Sequence, residues 1–162
     1  LSNNDTIYDV IVIGGGLAGL TSTIELARSG RKVLLIEKKE YPYHKVCGEY
    51  ISNEVLPYLR SLGFDPIAFG AADIKRLRLS TPHGKNIYTN LDMGGFGISR
   101  YTIDNELYKL AVSKGAEVLM NTRVTDVTFA DNQFTVTTND ATYTSKLVIG
   151  SYGKRDTLDK KL

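Results

Sequence analysis

The hydrophobic pattern changes character along the chain. Tyr8 to Gly14 is a β-branched apolar run ending in glycines, the pattern of a strand buried on both faces. Beyond Gly16, residues Leu17, Leu20, Ile24 and Ala27 recur at steps of three and four. That spacing predicts a helix to about Ser29, closed by Gly30 as a residue that takes positive φ cheaply. Lys32 to Glu37 predicts a second buried strand, and strand, helix and strand together make a βαβ unit with parallel strands. Lys38 to Tyr50 has no period and reads as a long loop. Ser52 to Leu62 predicts a short helix, entered near Pro57 and ended at Gly63. Ile74 to Ser80 and Asn86 to Leu91 read as strands joined by the turn Thr81 to Lys85, and Met93 to Gly97 as a flexible loop. Ile103, Leu107, Leu110 and Ala111 mark a helix starting near Thr102 or Asp104, with Gly115 beyond its end. Glu117 to Asn121 reads as a strand. Val124 to Phe129, Gln133 to Thr138 and Ala141 to Thr144, separated by Asp131-Asn132 and Asn139-Asp140, predict a β-meander. Lys146 to Gly150 reads as one more apolar strand, running into Ser151 to Gly153 and a charged tail.

Composition narrows the class. The chain has 162 residues, 42% hydrophobic and 23% charged, which suits one globular domain with its own core. A single cysteine, Cys47, excludes an internal disulfide framework and an all-cysteine zinc site. Net charge is +2, from 20 basic and 18 acidic residues with no basic block, so nucleic acid is disfavoured as a partner. No apolar run approaches a transmembrane span, and the polar, acidic start is unlike a signal peptide; the expected location is cytoplasmic. Metal-ligand spacing, a Gly-x-Ser-x-Gly elbow and a Walker lysine are all missing, which sets aside hydrolase and nucleoside-triphosphatase chemistry.

The chemistry concentrates in Gly14-Gly15-Gly16-Leu17-Ala18-Gly19, a G-x-G-x-x-G placed between a strand and a helix. Gly14 permits the tight turn, Gly16 lets a pyrophosphate approach the backbone, and Gly19 lets helix and strand pack closely. Free N–H groups at the helix start, with the helix dipole, favour phosphate charge. Glu37 lies 23 residues after Gly14, at the end of the second strand, where a carboxylate accepts hydrogen bonds from a ribose diol. An acid there repels a 2′-phosphate and disfavours NADP in this pocket. Dinucleotide binding is the reading.

The order of elements after the second strand, together with the later motifs, resembles the FAD-binding domain of the superfamily of flavin-dependent monooxygenases, tryptophan-type halogenases and geranylgeranyl reductases. The resemblance runs from Tyr8 to about Leu158. Tyr43 to Ser52, reading YHKVCGEYIS, resembles the loop in which a Cys-Gly or Gly-Glu pair lies by the flavin. Arg100, Asp104 and Leu107 match an Arg-x-x-x-Asp-x-x-Leu helix entry whose arginine reaches the cofactor. Thr122-Arg123-Val124 resembles the strand start whose backbone valine pairs with the adenine edge. Gly150 to Arg155 resembles the Gly-Ala-Asp-Gly segment of the hydroxylases, with Tyr152 in place of the aspartate, a departure that argues against hydroxylase-type handling of NAD(P)H.

The resemblance implies an α/β, Rossmann-like FAD/NAD(P)-binding fold with a parallel sheet, a crossover helix and a β-meander. Residues 1–162 are then an FAD-binding domain, the front portion of a longer flavoprotein, with 38–100 holding a flavin-side loop and inserted strands. The implied cofactor set is Gly14, Gly16, Leu17, Ala18, Gly19, Glu37, Lys38, Lys45, Cys47, Gly48, Arg100 and Val124, with no metal. The expected function is an FAD-dependent oxidoreductase: NAD(P)H reduces the flavin, which passes electrons to a small organic substrate or to O₂. An NAD-dependent dehydrogenase domain and a non-catalytic dinucleotide-binding module are the alternatives. Single residues have plainer readings too. Cys47 is a flavin-side thiol or a small apolar filler. His44 is a solvated loop histidine, and Asp104 and Glu106 are acids favouring a helix N-terminus. Tyr41, Tyr43 and Tyr50 are either channel lining or scattered half-buried aromatics.

Overall fold

A computed structural model describes residues 2–153, with side chains from Thr6 onward. Lys154, Arg155 and the rest of the charged tail, to which the sequence reading extended, lie outside the described residues. The chain divides into two compact units, one formed by residues 2–43 with 104–153 and the other by 44–103.

The first unit holds the βαβ start. β1 (Ser2–Ile13) and β2 (Val33–Ile36) pair in parallel, with Val10 opposite Val33 and Ile13 opposite Ile36. Val10–Ile13 and Val33–Ile36 are buried on each face, as unbroken apolar runs dictate. Between them runs α1 (Leu17–Arg28), which buries Leu20, Thr23, Ile24 and Ala27. Gly30 ends it at φ +80°, its N–H bonded to Ala27 O. β6 (Glu117–Leu119) adds to β2 in parallel. On the other side of β1 lie β9 (Ala141–Gly150), parallel to it, then β8 (Gln133–Thr138) and β7 (Val124–Ala130), both antiparallel. The sheet order is β6-β2-β1-β9-β8-β7. Tyr8, Ile11 and Ile13 share a core with Leu34, Ile36, Val124, Val127 and Val136. Asp9 joins three neighbouring segments: its carboxylate accepts from Lys146 Nζ at 2.7 Å and from the Lys32 amide at 2.9 Å. The lysine, then the amide, hold that carboxyl below its ordinary value.

The second unit is a three-stranded antiparallel sheet, β3-β5-β4, formed by β3 (Tyr50–Ser52), β4 (Ala72–Ser80) and β5 (Asn86–Gly97). α2 (Leu56–Leu62) buries Leu59 and Leu62 and stops at Gly63, φ +100°. α3 (Arg100–Ser113) begins in this unit and continues into the first.

Five expectations need correction. Met93 to Gly97 is not a loop but the end of β5, pairing with β3 and β4. Glycine is demanded there: a Cβ on Gly95 would run into the Tyr50 ring. α3 starts at Arg100 rather than Thr102 or Asp104, because Ser99 Oγ accepts the Thr102 N–H at 3.1 Å. Asp104 therefore lies beyond the first turn and is 1% exposed, while Glu106 pairs with Lys109 at 2.6 Å; neither is a first-turn acid. Ala141–Thr144 and Lys146–Gly150 are one strand, with the buried Ser145 inside it donating to Leu147 O. The strand at Glu117 ends at Leu119, short of Asn121, whose φ is +55°.

α1 carries an avoidable cost. Thr23 Oγ1 is fully buried with no hydrogen-bond partner. An unsatisfied buried hydroxyl costs about 1–3 kcal/mol, and valine has the same shape without it. Thr23→Val is expected to raise the melting temperature by roughly 2–12 °C, at about 2–4 °C per kcal/mol for a domain of this size. A calorimetric scan showing no rise, or a fall, would mean the hydroxyl is satisfied in solution.

Candidate functional site

The glycine turn sits where β1 meets α1. Gly14 takes φ +101°, and a Cβ there would lie 2.7 Å from the Ser151 carbonyl, so only glycine fits. Its N–H donates to Ile36 O at 2.9 Å. Gly19 packs so tightly that a Cβ would run into Gly14 O, with Ser151 Oγ 2.6 Å away. The Ser151 hydroxyl lies 2.7 Å from Gly14 O and 2.9 Å from Ile13 O, tying the end of β9 to the turn. Gly16 is different. At φ −80°, ψ −175° it is extended backbone open to any residue, and it caps α1 without a side-chain hydrogen bond. No acid stands in the first turn of α1. The helix start thus presents N–H groups and dipole to an external anion.

Glu37 is 4% exposed and stands against the turn. Its Oε2 accepts the Gly15 N–H at 2.7 Å and its Oε1 the Lys39 N–H at 3.0 Å. Its backbone binds the end of β6 and the connection that follows, the N–H donating to Leu119 O at 2.8 Å and the carbonyl accepting the Thr122 N–H at 3.1 Å. The structure therefore brings together Gly14, Gly16, Leu17, Ala18, Gly19, Glu37 and the segment leading into Val124. Val124 buries its side chain in the core and opens β7, the strand at one edge of the sheet. Lys38 is exposed beside Glu37.

Sequence reasoning named Tyr41 but missed its contact with the turn. It is buried, not channel lining, and its hydroxyl donates to Gly15 O at 2.6 Å. Its ring stacks on Tyr108 at 5.0 Å. A contact between positions 26 residues apart leaves no trace in local periodicity.

Lys45, Cys47, Gly48 and Arg100 lie in the second unit. The loop carrying the first three runs beside the start of α3: Glu49 O accepts the Ile98 N–H at 3.1 Å, and His44 stacks on Tyr101 at 4.7 Å. His44 is exposed, as expected of a solvated loop histidine, and its ring rests on Tyr101. Cys47 is exposed, which removes the apolar-filler reading, and its sulfur accepts the Glu49 N–H at 3.4 Å. A Cβ on Gly48 would meet nothing within 4 Å, so packing in the chain itself does not require glycine there. Arg100 is half-buried at the first position of α3.

A mainly parallel sheet with a glycine turn at the carboxyl end of its first strand, and an acid at the end of its second, defines a dinucleotide-binding domain. The chain belongs to the FAD binding domain family, whose profile matches residues 7–162. Among curated relatives, a digeranylgeranylglycerophospholipid reductase of Methanoculleus marisnigri is 37% identical over 123 residues, covering 73% of this chain and 30% of the relative. A geranylgeranyl bacteriochlorophyll reductase-like protein from Thermoplasma acidophilum superposes with a TM-score of 0.81 at 25% identity, over 98% of this chain and 42% of that one. The halogenase PltM, solved with phloroglucinol and FAD, shares the fold with a TM-score of 0.79 at 23% identity, over 95% of this chain and 36% of its own. The chain spans about a third of the length of the first relative. Among the described residues no helix is long and apolar enough to cross a membrane.

Proposed function

We propose that this chain is the FAD-binding portion of a flavin-dependent oxidoreductase of the geranylgeranyl-reductase-like branch. The observation that carries the reading is the uncapped start of α1 behind a glycine turn, with Glu37 against it. In this reading the N–H groups of Gly16 to Gly19 hold the pyrophosphate. Glu37 keeps lone pairs for the ribose diol beyond the two amides it already accepts, since an ionised carboxylate offers about four acceptor sites. The backbone at Val124 receives the adenine edge. Lys45, Cys47, Gly48 and Arg100 serve the flavin end, with Lys45 and Arg100 supplying positive charge and Gly48 leaving room for close approach. Bound FAD would supply the redox chemistry, taking a hydride from NAD(P)H and passing electrons to an organic substrate or O₂. The residues of the chain bind and orient; Tyr152, in place of an acid, keeps a negative charge away from the turn. The reductase branch is favoured by the Cys47-Gly48 pair and by the relatives' names.

Added FAD is expected to raise the melting temperature in a concentration-dependent way, because a ligand that binds only the folded state stabilises by mass action. Differential scanning fluorimetry over an FAD series checks this, with NAD as comparison. A shift with NAD and none with FAD would overturn the reading.

A further inference from the structure

We propose that Tyr41 is a positioning residue for the cofactor's pyrophosphate. By holding the Gly15 carbonyl, its hydroxyl aims the Gly16 N–H at the anion. The inference rests on the reading of this chain as an FAD binder, and it concerns a residue outside the G-x-G-x-x-G motif.

The two peptides flanking the Gly15 Cα are held separately. In the first, the Gly15 N–H donates to Glu37 Oε2 at 2.7 Å while the Gly14 carbonyl lies 2.7 Å from Ser151 Oγ. In the second, the Gly15 carbonyl accepts from Tyr41 Oη at 2.6 Å, and both partners are buried. The C=O and N–H of a trans peptide point in opposite directions. Drawing the Gly15 carbonyl toward Tyr41 therefore turns the Gly16 N–H the other way, at the helix cap that Gly16 itself forms.

A second observation points the same way. Gly15 occupies a variable position of the motif and does not take positive φ. Its glycine is nevertheless required here. A Cβ would run into Tyr41 Oη and would lie 3.0 Å from Tyr41 Cζ and 3.1 Å from Glu37 Oε2. The middle glycine of Gly14-Gly15-Gly16 is thus explained by the tyrosine and the glutamate that close on it. Tyr41 is placed for this by its stack on Tyr108 at 5.0 Å and a tilted contact with Tyr43 at 5.7 Å. The phenol is thus held in place without a ligand, which is what preorganisation requires.

The test compares wild type with Tyr41→Phe and with a matched control, Tyr8→Phe. The control deletes another phenol hydroxyl in the same unit, one that donates to Glu117 Oε2 at 2.7 Å away from the turn. FAD titrations are expected to show Tyr41→Phe weakened about 3- to 10-fold and Tyr8→Phe within about 2-fold of wild type, the range for one neutral hydrogen bond. The ³¹P resonances of bound FAD should move in Tyr41→Phe and stay in place in the control. In the ligand-free protein, the Gly16 amide resonance should shift in Tyr41→Phe alone. Gly15→Ala, which breaks the same contact from the other side, should weaken FAD comparably. The double variant Tyr41→Phe with Gly15→Ala should lose little more than either single one. Unchanged affinity and ³¹P signal in Tyr41→Phe, or fully additive losses in the double variant, would overturn the proposal. Wild-type protein that leaves FAD unbound would overturn the cofactor reading instead, while the ligand-free Gly16 amide still decides whether Tyr41 sets the turn.

Discussion

Gly16→Val is expected to abolish FAD binding while leaving the far-ultraviolet circular dichroism spectrum unchanged. The three glycines of the motif divide by what they serve. Gly14 and Gly19 serve the protein: a side chain at either meets Ser151 or the Gly14 carbonyl. Gly16 sits at φ −80°, ψ −175°, where a β-branched residue is comfortable. Its backbone does not refuse valine. What valine would obstruct is the path of a pyrophosphate to the helix N-terminus, since close approach is the role of the second glycine in this motif. Spectrum and titration on one sample decide between outcomes. Retained binding would mean that the turn is purely structural, and a lost fold would mean that the clash falls on the protein.

Glu37→Ala is expected to act twice. Loss of a hydrogen bond to a charged group costs roughly 1.5–3 kcal/mol, which predicts FAD weakened about 10- to 150-fold. The same change strips the acceptor from the buried Gly15 N–H and from the Lys39 N–H. An orphaned buried donor costs about 1–3 kcal/mol of stability. Urea unfolding of the ligand-free protein measures the second effect and FAD titration the first. A drop in stability with unchanged FAD affinity would reduce Glu37 to a brace for the turn and remove its ribose role.

What was legible in the sequence follows from which forces leave a periodic mark. The βαβ start could be read because Val10 to Ile13 and Val33 to Ile36 are buried on both faces, and Leu20, Ile24 and Ala27 recur on one helix face. The meander was legible through its turns, with Asp131 and Asn132 at φ +50° and +61°. Gly94 to Gly97 could not be read as a strand, because the glycines that let Tyr50 cross β5 also erase its alternation. Ser145 broke β9 on paper since its burial depends on a bond to its own strand's backbone. Glu37 and the glycines were found from spacing. Tyr41 was not, because its partner lies across the fold.

The closure of the turn by Ser151 sets an order of events during synthesis. β1, α1 and β2 leave the ribosome early, but Ser151 and Gly14 are 137 residues apart. At about 5–20 residues per second, β9 follows roughly 7–30 s later. In that interval the β1 edge destined for β9 is unpaired and apolar, a template for strands of other nascent chains. The inserted unit at 44–103 is made within the same interval, before β1 can be covered. The glycine turn is thus among the last features of its unit to assemble, closing on a finished sheet rather than a growing one.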